Sequence, residues 1–361
     1  MNKKAQIQSR YHRQMILPEI GEAGQEKLSK AKVFVIGAGG LGSPVLMYLA
    51  AAGIGTIGII EYDKVDISNL HRQIMYNTTD VGKDKIDLTV NKLKAANPEI
   101  NIIPHKGKLT KENILDIMKD YDIVVDGSDN FPTRFMVSDA TVILKKPLVF
   151  GAVYQFMGQA SIFNYKDGPT YRCVFPEQPK SGEMPSCSTG GVIGPLPGII
   201  GSIQANETIK IILDIGETLS GKFLQLNSLD FKIDMIEVAA DEENKKITEL
   251  GDYEVTCETQ IKNISPHELI HKKTDSKIKI YEIRSQQQFN AFNIGGERID
   301  AEELLSIANS LDKYEKVLLV CQRGIESLSV AERLQNKTNL GNIYNLQGGM
   351  EAYLNEIQNQ K

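Results

Sequence analysis

The stretch Val33-Phe34-Val35-Ile36-Gly37-Ala38-Gly39-Gly40-Leu41-Gly42 decides the fold of this chain. Its four apolar residues predict a buried strand, and the glycines predict a tight turn into a helix that begins near Leu41. Without side chains, backbone N–H groups can approach a phosphate at the positive end of that helix. The pattern predicts an α/β fold of the Rossmann-like type with a mostly parallel sheet and a nucleotide site. The glycines assigned to this site are Gly37, Gly39, Gly40 and Gly42.

Taken alone, the turn fits NAD as well as ATP, because an acid after the second strand (residues 57–60) binds a ribose hydroxyl in both cases. Glu61 and Asp63 stand at that place. The cations that follow, Arg72 and Lys85, favour ATP. A dinucleotide needs no such pair, whereas two cations neutralise the β- and γ-phosphates of a triphosphate.

A second acidic segment, Ile123-Val124-Val125-Asp126-Gly127-Ser128-Asp129-Asn130, predicts a buried strand that ends in an acid, a small turn and a second acid. Carboxylates at the carboxyl edge of a parallel sheet are typical of Mg²⁺ sites. We therefore predict that Asp129 holds Mg²⁺. The alternative is that Asp129 caps the following helix, and the residues alone leave both open.

Composition limits the function classes. The 361 residues suffice for two domains with separate cores, and 41% hydrophobic residues indicate globular order. A net charge of −5 gives no reason to expect nucleic acid or an acidic membrane as a partner. The N-terminus lacks an apolar signal segment, and polar residues interrupt the apolar stretch 192–213. We expect a soluble, cytoplasmic protein.

The sequence predicts a second, smaller α/β domain. A charge run at residues 241–246 separates an apolar strand from a new alternation of strands and helices. We predict a first domain over residues 1–245, a linker over 246–264 and a second domain over 265–361. The elements expected in the second domain are a strand at 279–284, helices at 287–291 and 301–311, a strand at 317–320 and a helix at 328–334.

Four dispersed cysteines are too few for a disulfide framework, so we expect free thiols. They are Cys173, Cys187, Cys257 and Cys321. Cys187 lies in the small-residue stretch 184–191, where a mobile thiol can approach an activated acyl group; the alternative is a small buried loop residue. Cys321 lies between a strand and a helix, where backbone N–H groups and the helix N-terminus stabilise a thiolate or persulfide anion.

Four ordered motifs together resemble the ubiquitin-activating-like superfamily of MoeB and ThiF, over roughly residues 5 to 240. They are Arg10-Tyr11-His12-Arg13-Gln14, the glycine turn, Asn69-Leu70-His71-Arg72-Gln73 and Asp126-Gly127-Ser128-Asp129-Asn130. The resemblance implies adenylation of the C-terminal glycine of a ubiquitin-like sulfur carrier of the ThiS or MoaD type. It also implies ATP and Mg²⁺ as cofactors and a homodimer.

Carried over by position, the resemblance places Gly40 against the phosphates and Glu61 on the ribose, where relatives usually have Asp. It places Arg13 in the ATP site of the neighbouring subunit. Without the family resemblance, the alternative is that Arg13 is only a surface residue of an N-terminal helix. The catalytic residues implied are Arg13, Arg72, Lys85, Asp129, Cys187 and Cys321. The nucleotide ligands implied besides the glycines are Glu61, Ser68, Asn69, Arg72, Lys85, Asp129 and Asn130.

The Cys321 loop and the later stretch Leu346-Gln347-Gly348-Gly349-Met350-Glu351-Ala352-Tyr353 resemble a rhodanese domain, whose cysteine carries sulfur as a persulfide. The resemblance implies sulfur transfer by Cys321, resolution or holding of the intermediate by Cys187, and a sulfur donor such as a cysteine desulfurase. Glu326 stands where many relatives have a basic residue, so a domain that only docks a partner is the alternative.

Many relatives hold a structural zinc with two Cys-x-x-Cys pairs. Here the two regions, residues 170–173 and 253–257, keep one cysteine each, so we predict no zinc site. Two other function classes stay open. An NAD-dependent oxidoreductase explains the glycine turn but gives Arg72, Lys85 and Asp129 no role, and a non-catalytic scaffold explains only the two domains.

Overall fold

The computed structural model describes residues 3–179, 191–253, 261–272, 278–338 and 340–359. The described chain divides into two compact units. The first contains residues up to 178 together with 191–253, and the second contains the residues from 261 onwards. Each unit has its own sheet and its own apolar clusters.

The first unit is built on an eight-stranded sheet with helices on both faces. Its helices are α1 (Lys3–Met15), α2 (Gly21–Lys30), α3 (Gly42–Ala52), α4 (Lys85–Ala96), α5 (Ile114–Met118), α6 (Phe131–Ile143) and α7 (Pro195–Leu213). Its strands are β1 (Lys32–Ile36), β2 (Thr56–Glu61), β3 (Asn101–Lys106), β4 (Ile123–Asp126), β5 (Leu148–Tyr154), β6 (Met157–Phe163), β7 (Lys222–Asn227) and β8 (Lys232–Glu237).

The strand order is β3-β2-β1-β4-β5-β6-β7-β8. Strands β1 to β5 pair in parallel, and the pairs from β5 to β8 are antiparallel. This confirms the predicted mixed α/β fold with a Rossmann-like, mostly parallel sheet. The chain runs outward from β1 in one direction to β3 and then returns to the other side of β1 as β4. Ligands bind at such a switch point, in the crevice beyond the carboxyl ends of β1 and β4.

Strand β1 shows why these residues form the centre of the sheet. Val33 and Val35 are fully buried in one apolar cluster, and Phe34 and Ile36 lie in the cluster on the opposite face. A strand covered on both faces is continuously apolar instead of alternating. Helix α3 covers the first face and ends at Gly53, whose φ of +83° closes the helix in the left-handed region.

The second unit has a five-stranded parallel sheet of order β11-β10-β12-β13-β9. Its strands are β9 (Lys262–Ile264), β10 (Ile278–Glu282), β11 (Glu297–Arg298), β12 (Lys316–Val320) and β13 (Ile343–Leu346). Its helices are α8 (Pro266–Lys272), α9 (Gln286–Ala291), α10 (Ala301–Ser306), α11 (Ile325–Thr338) and α12 (Gly349–Asn359). The predicted small α/β domain is thereby confirmed.

One predicted helix of the second unit is wrong in extent. The helix expected over residues 301–311 ends at Ser306, and a separate 3₁₀ turn follows over Ala308–Ser310. Leu304, Ala308 and Leu311 are all buried, so the helix and the turn together satisfy the apolar spacing. Periodicity alone does not distinguish this arrangement from one continuous helix.

The segment predicted as a linker contains ordered contacts at both ends. Leu250 and Tyr253 pack in a cluster of the first unit, and β9 belongs to the sheet of the second. The boundaries at 245 and 265 remain predictions. None of the helices in the described ranges is both long and apolar enough to cross a bilayer.

Candidate functional site

The glycine turn after β1 lies at the switch point and has no room for side chains at key positions. A Cβ on Gly42 would lie 2.0 Å from the carbonyl oxygen of Gly37, and Gly37 itself has φ of +83°. A Cβ on Gly40 would lie 3.0 Å from Cβ of Pro197, whereas one on Gly39 would meet only ordinary contacts. Gly37 and Gly42 therefore maintain the turn, and Gly40 allows the close approach of Pro197 in α7.

The turn after β4 contacts this glycine turn through backbone alone. The N–H of Gly127 donates to the carbonyl oxygen of Ile36 at 3.0 Å. A Cβ on Gly127 would lie 2.7 Å from that same oxygen, and a Cβ on Gly37 would lie 3.2 Å from the oxygen of Gly127. The glycine turn and the acidic turn are thus adjacent pieces of one crevice.

Glu61 is the last residue of β2, and its side chain holds the glycine turn in place. Its buried carboxylate accepts hydrogen bonds from the N–H of Ala38 at 2.9 Å, of Tyr62 at 2.8 Å and of Asp63 at 2.9 Å. The expected ribose contact of Glu61 remains a prediction. The hydrogen bond from Ala38 gives Glu61 a structural role, because it fixes the conformation of the glycine turn.

Lys85, at the start of α4, is buried, and its charge is balanced by Asp63. Nζ of Lys85 lies 3.2 Å from Oδ2 of Asp63, and the Lys85 N–H donates to the Asp63 carbonyl at 2.9 Å. Sequence reasoning placed Asp63 beside the ribose acid but gave it no role. Only two features of the sequence pointed to this ion pair: a second acid two residues after the end of the strand, and a lysine further along the chain.

Arg72 lies beside Gly40 on the loop that follows β2. Its Cγ is 3.8 Å from the position of a Cβ on Gly40, and its Nη1 donates to the Ser68 carbonyl at 2.9 Å. Asn69 forms a reciprocal cap with Asp66: its Oδ1 accepts from the Asp66 N–H, and the Asp66 carboxylate accepts from the Ser68 N–H. The structure thus brings Ser68, Asn69 and Arg72 together next to the glycine turn.

Asp129 presents an exposed carboxylate at the same edge. The capping alternative is not the observed arrangement, because Asn130 caps α6 by accepting from the Thr133 N–H at 3.0 Å. Burial and then the negative charges of Asp63, Asp129 and Glu61 raise the pKa of Tyr62.

The peptide unit just before Asp129 is held from inside the protein. Buried Asp126 accepts from the Ser128 N–H at 2.8 Å, and buried Arg134 donates to the Ser128 carbonyl at 3.2 Å. Burial raises the pKa of Asp126, an effect opposed by the nearby positive charge of Arg134. Sequence reasoning missed Arg134; its only signal was an arginine in the helix that follows the acidic turn.

The residues present fit a nucleotide with Mg²⁺. The glycine turn offers backbone N–H groups without side chains, and Arg72 offers positive charge beside it. Lys85 adds positive charge next to Asp63, two residues after Glu61. No cluster of three or more metal-binding side chains occurs among the described residues. Mg²⁺ commonly takes one or two carboxylates together with substrate phosphates, so a single exposed carboxylate at Asp129 is a suitable ligand set.

Arg13 is exposed on α1, which is anchored to the rest of the unit. Asn97 donates to the Tyr11 hydroxyl at 2.7 Å, and Gln14 donates to the Ala52 carbonyl at 2.9 Å. Arg10 donates to the Ala96 carbonyl at 2.8 Å. Within the described ranges Arg13 has no such bond, so its guanidinium points from a fixed helix into solvent.

Cys187 and Cys257 lie outside the described residues. Cys173 accepts hydrogen bonds from the backbone of Thr170 at 3.4 Å and of Asp241 at 3.3 Å, and from Nδ2 of Asn244 at 3.7 Å. Burial acts to raise the pKa of Cys173, but these hydrogen bonds outweigh it and lower that pKa.

The segment that reaches Cys173 is therefore residues 241–244. Of residues 253–257, the structure describes only Tyr253, whose hydroxyl donates to Asp139 at 2.7 Å. The Tyr253 ring is buried in an apolar cluster of the first unit, and the absence of a zinc site stays a prediction.

In the second unit, Cys321 follows β12 and precedes α11. Its buried Sγ accepts from the Gly324 N–H at 3.1 Å and lies 3.2 Å from the Ser327 hydroxyl. The later glycine stretch closes on this loop: the Met350 N–H donates to the Cys321 carbonyl at 3.0 Å. Glu326 is exposed, as is Arg323. The loop thus holds a sulfur among N–H and O–H groups, a suitable place for a sulfur anion.

With both sites in view, the chain belongs to the ThiF family, whose model matches residues 11–248, and it carries a rhodanese-like domain that matches residues 265–356. The family resemblance of the four motifs and of the Cys321 loop is thereby confirmed.

Among its relatives, a sulfur carrier protein adenylyltransferase of Thermus thermophilus is 48% identical over 69% of this chain and 96% of its own length. A probable adenylyltransferase/sulfurtransferase MoeZ of Mycobacterium tuberculosis is 38% identical and covers 97% of this chain and 93% of its own. Adenylyltransferase and sulfurtransferase MOCS3 of Culex quinquefasciatus is 37% identical over 98% of this chain and 88% of its own length. The E. coli MccB structure, with a TM-score of 0.59, 23% identity and coverage of 67% of this chain and 74% of its own, shares the fold.

Proposed function

We propose that this enzyme uses ATP and Mg²⁺ to adenylate the C-terminal glycine of a ubiquitin-like sulfur carrier, of the ThiS or MoaD type, and then transfers sulfur to it in the cytoplasm. One observation carries the first half. The glycine turn and the turn that bears Asp129 meet at Gly127, with Arg72 beside Gly40. Lys85 pairs with Asp63, two residues after the Glu61 carboxylate that holds Ala38.

In the adenylation step, a carboxylate oxygen of the carrier attacks the α-phosphorus of ATP, and the bond to the bridging oxygen breaks to release pyrophosphate. Lys85 and Arg72 offset the charge that develops on the phosphate oxygens, because preorganised cations stabilise a charged transition state. Asp129 would hold Mg²⁺, which when bound would supply further positive charge to the phosphates. No protein nucleophile is needed, so positioning accounts for most of the rate.

Arg13 is assigned to the active site of the partner in a homodimer. The support is its solvent-facing position on an anchored helix, together with the family resemblance of residues 10–14. An arginine supplied by a neighbouring subunit can neutralise phosphate charge during the reaction. Mixed dimers of Arg13→Ala and Asp129→Ala chains test this role, because one of the two sites in each mixed dimer then regains both residues.

Sulfur transfer is assigned to Cys321. A persulfide on Cys321 attacks the acyl carbon of the adenylate, the new C–S bond forms and AMP leaves. The thiolate of Cys187 then attacks Sγ of Cys321, so that the S–S bond breaks, the carrier thiocarboxylate leaves and a Cys187–Cys321 disulfide remains for cellular thiols to reduce. A cysteine desulfurase is the proposed source of the persulfide sulfur.

Carrier-dependent exchange of pyrophosphate into ATP tests the adenylation. ThiS-like and MoaD-like proteins of the source organism serve as carriers, Asp129→Ala as the inactive variant and Asp116→Ala, an exposed acid of α5, as the matched control. We expect exchange with one carrier, lost only in Asp129→Ala. Absence of exchange with every carrier, in protein that binds ATP, contradicts the proposal.

A further inference from the structure

The Ser327 hydroxyl lies within hydrogen-bond distance of two acceptors. Its Oγ lies 3.2 Å from Sγ of Cys321 and 2.7 Å from Oδ1 of Asn345, and all three side chains are buried. A hydroxyl donates a single hydrogen, so it serves one of these two acceptors at a time. Where that hydrogen points therefore depends on the state of the sulfur.

Asn345 has only one orientation that satisfies its neighbours. Its Nδ2 donates to the Gly324 carbonyl at 3.1 Å and to Oδ1 of Asn263 at 2.9 Å. A carbonyl oxygen cannot donate, so the amide nitrogen must face Gly324 and Oδ1 must face Ser327. The acceptor that competes with Cys321 for the Ser327 hydrogen is thus fixed.

We propose that the Ser327 hydroxyl changes its hydrogen-bond acceptor with the charge on Cys321. It donates to Sγ when the sulfur is negatively charged and to Oδ1 of Asn345 when the sulfur is neutral, so Asn345 is a positioning residue. In the thiol, S–H donates to Ser327 Oγ, and Ser327 donates to Asn345. In the thiolate, Ser327 turns its hydrogen to Sγ and leaves the buried Asn345 oxygen without a donor. The Gly324 N–H donates to Sγ throughout. This inference rests on the sulfur-transfer role proposed for Cys321.

The Ser327 hydroxyl changes its acceptor at each step of sulfur transfer. With thiosulfate as probe, the Cys321 thiolate attacks the outer sulfur, an S–S bond forms on Sγ, and sulfite leaves. The negative charge then lies on the outer sulfur, and Ser327 returns to Asn345. When cyanide takes the outer sulfur as thiocyanate, Sγ departs as a thiolate again, and the Ser327 hydrogen stabilises this leaving group.

The two residues should have opposite effects on one sulfur. Ser327→Ala removes the donor, so alkylation of Cys321 by iodoacetamide and thiocyanate formation should both slow about tenfold, the effect of one hydrogen bond to an anion. Ser327→Thr restores the hydroxyl and most of the rate. Asn345→Ala removes the competing acceptor, so alkylation should become faster than in the original protein.

The measurement is made on the full chain, with the Cys321 peptide followed by mass spectrometry and folding checked by thermal unfolding. Asn263→Ala is the matched control, because it removes a partner of Asn345 on the side away from Ser327 and should leave alkylation unchanged. In the double variant Ser327→Ala/Asn345→Ala the acceleration should vanish.

Unchanged alkylation in Ser327→Ala, or slowing by Asn345→Ala, overturns the inference. Alkylation does not require sulfur transfer. Failure of the original protein to form thiocyanate, with these alkylation effects intact, would therefore count against the proposed function alone.

Discussion

Lys85 and Asp63 share one ion pair but very different surroundings. Their charged atoms are 3.2 Å apart, yet the Lys85 side chain is 4% exposed and that of Asp63 is 51% exposed. The Lys85 side chain is therefore shielded from water, whereas the Asp63 side chain is half exposed. Burying an unpaired charge is costly, so the ion pair with Asp63 offsets the cost of burying Lys85 where phosphates are expected to bind.

Asp63→Asn should lower carrier-dependent ATP–pyrophosphate exchange about a hundredfold, comparable to the loss of one preorganised electrostatic group. Asp87→Asn is the matched control: Asp87 is 68% exposed, and its lysine partner is 3.6 Å away. If the pair acts as a unit, Asp63→Asn combined with Lys85→Ala should be no worse than the poorer single variant. Losses that simply multiply would refute this.

Gly42→Ala should abolish nucleotide binding, because the added methyl would lie 2.0 Å from the Gly37 carbonyl oxygen and the turn would have to open. Gly198→Ala, in α7, is the control, since a Cβ there meets nothing within 4 Å and alanine favours a helix. Binding of a fluorescent ATP analogue, measured beside the melting temperature, tests both. Normal binding by Gly42→Ala would show that the turn tolerates a side chain.

Asp129 and Asn130 are neighbours with separable roles. Asp129→Asn should raise the Mg²⁺ concentration needed for half-maximal exchange and leave the melting temperature almost unchanged, because its carboxylate is exposed. Asn130→Ala should instead cost about 1 kcal/mol of stability through loss of the α6 cap. Magnesium titrations and thermal unfolding of both variants distinguish the roles. The reverse pattern would exclude Asp129 as the metal ligand.

Asp126→Asn should change stability in a pH-dependent manner. Burial raises the pKa of Asp126 in the folded protein, so the folded state holds this proton more strongly than the unfolded state. Stability contributed by the neutral carboxyl is complete below the unfolded pKa and is lost as pH rises through the folded pKa. The melting temperature of Asp126→Asn relative to the original protein should therefore increase with pH and then level off. A difference that does not vary with pH would contradict this.

In the second unit, Arg284 and Glu282 form a buried pair with side chains 4% and 0% exposed. Arg284→Met should destabilise the unit by about 3–5 kcal/mol, because Glu282 is left as an uncompensated buried charge. Arg298→Met, which breaks a more exposed pair with Asp300, should cost about 0–1 kcal/mol. Hydrogen exchange in peptides from β10 and β12 measures both. Equal protection in the two variants would refute the difference.

Features encoded by consecutive residues were predictable from the sequence. Strand β1, its glycine turn and the acidic turn after β4 each lie within ten residues, and local apolar runs and missing side chains identify them. Pairings between distant residues were not. Asp63 meets Lys85 across 22 positions, Asn345 meets Ser327 across 18, and Asp241 reaches Cys173 across 68.

The physical reason is that such partners are selected by the packed sheet. Asn345 is an ordinary polar residue in the sequence, and only the pairing of β13 with β12 and β9 places it behind the Cys321 loop. The segment 241–244 likewise looks like a solvated charge run until the fold brings its amides to Cys173. The order of charged and apolar residues along the chain does not indicate which distant residues come into contact.

The backbone contact between Gly37 and Gly127 has a further consequence for tolerance to change. Because no side chain intervenes, backbone atoms set the closest approach of the glycine turn to the Asp129 turn. Core substitutions that leave Glu61, Asp126 and Arg134 in place, the side chains that hold the two turns, should therefore not misalign the two halves of the crevice. A substrate that requires a different spacing would need both backbone turns to move together, so we expect new specificity to arise at the periphery of the crevice.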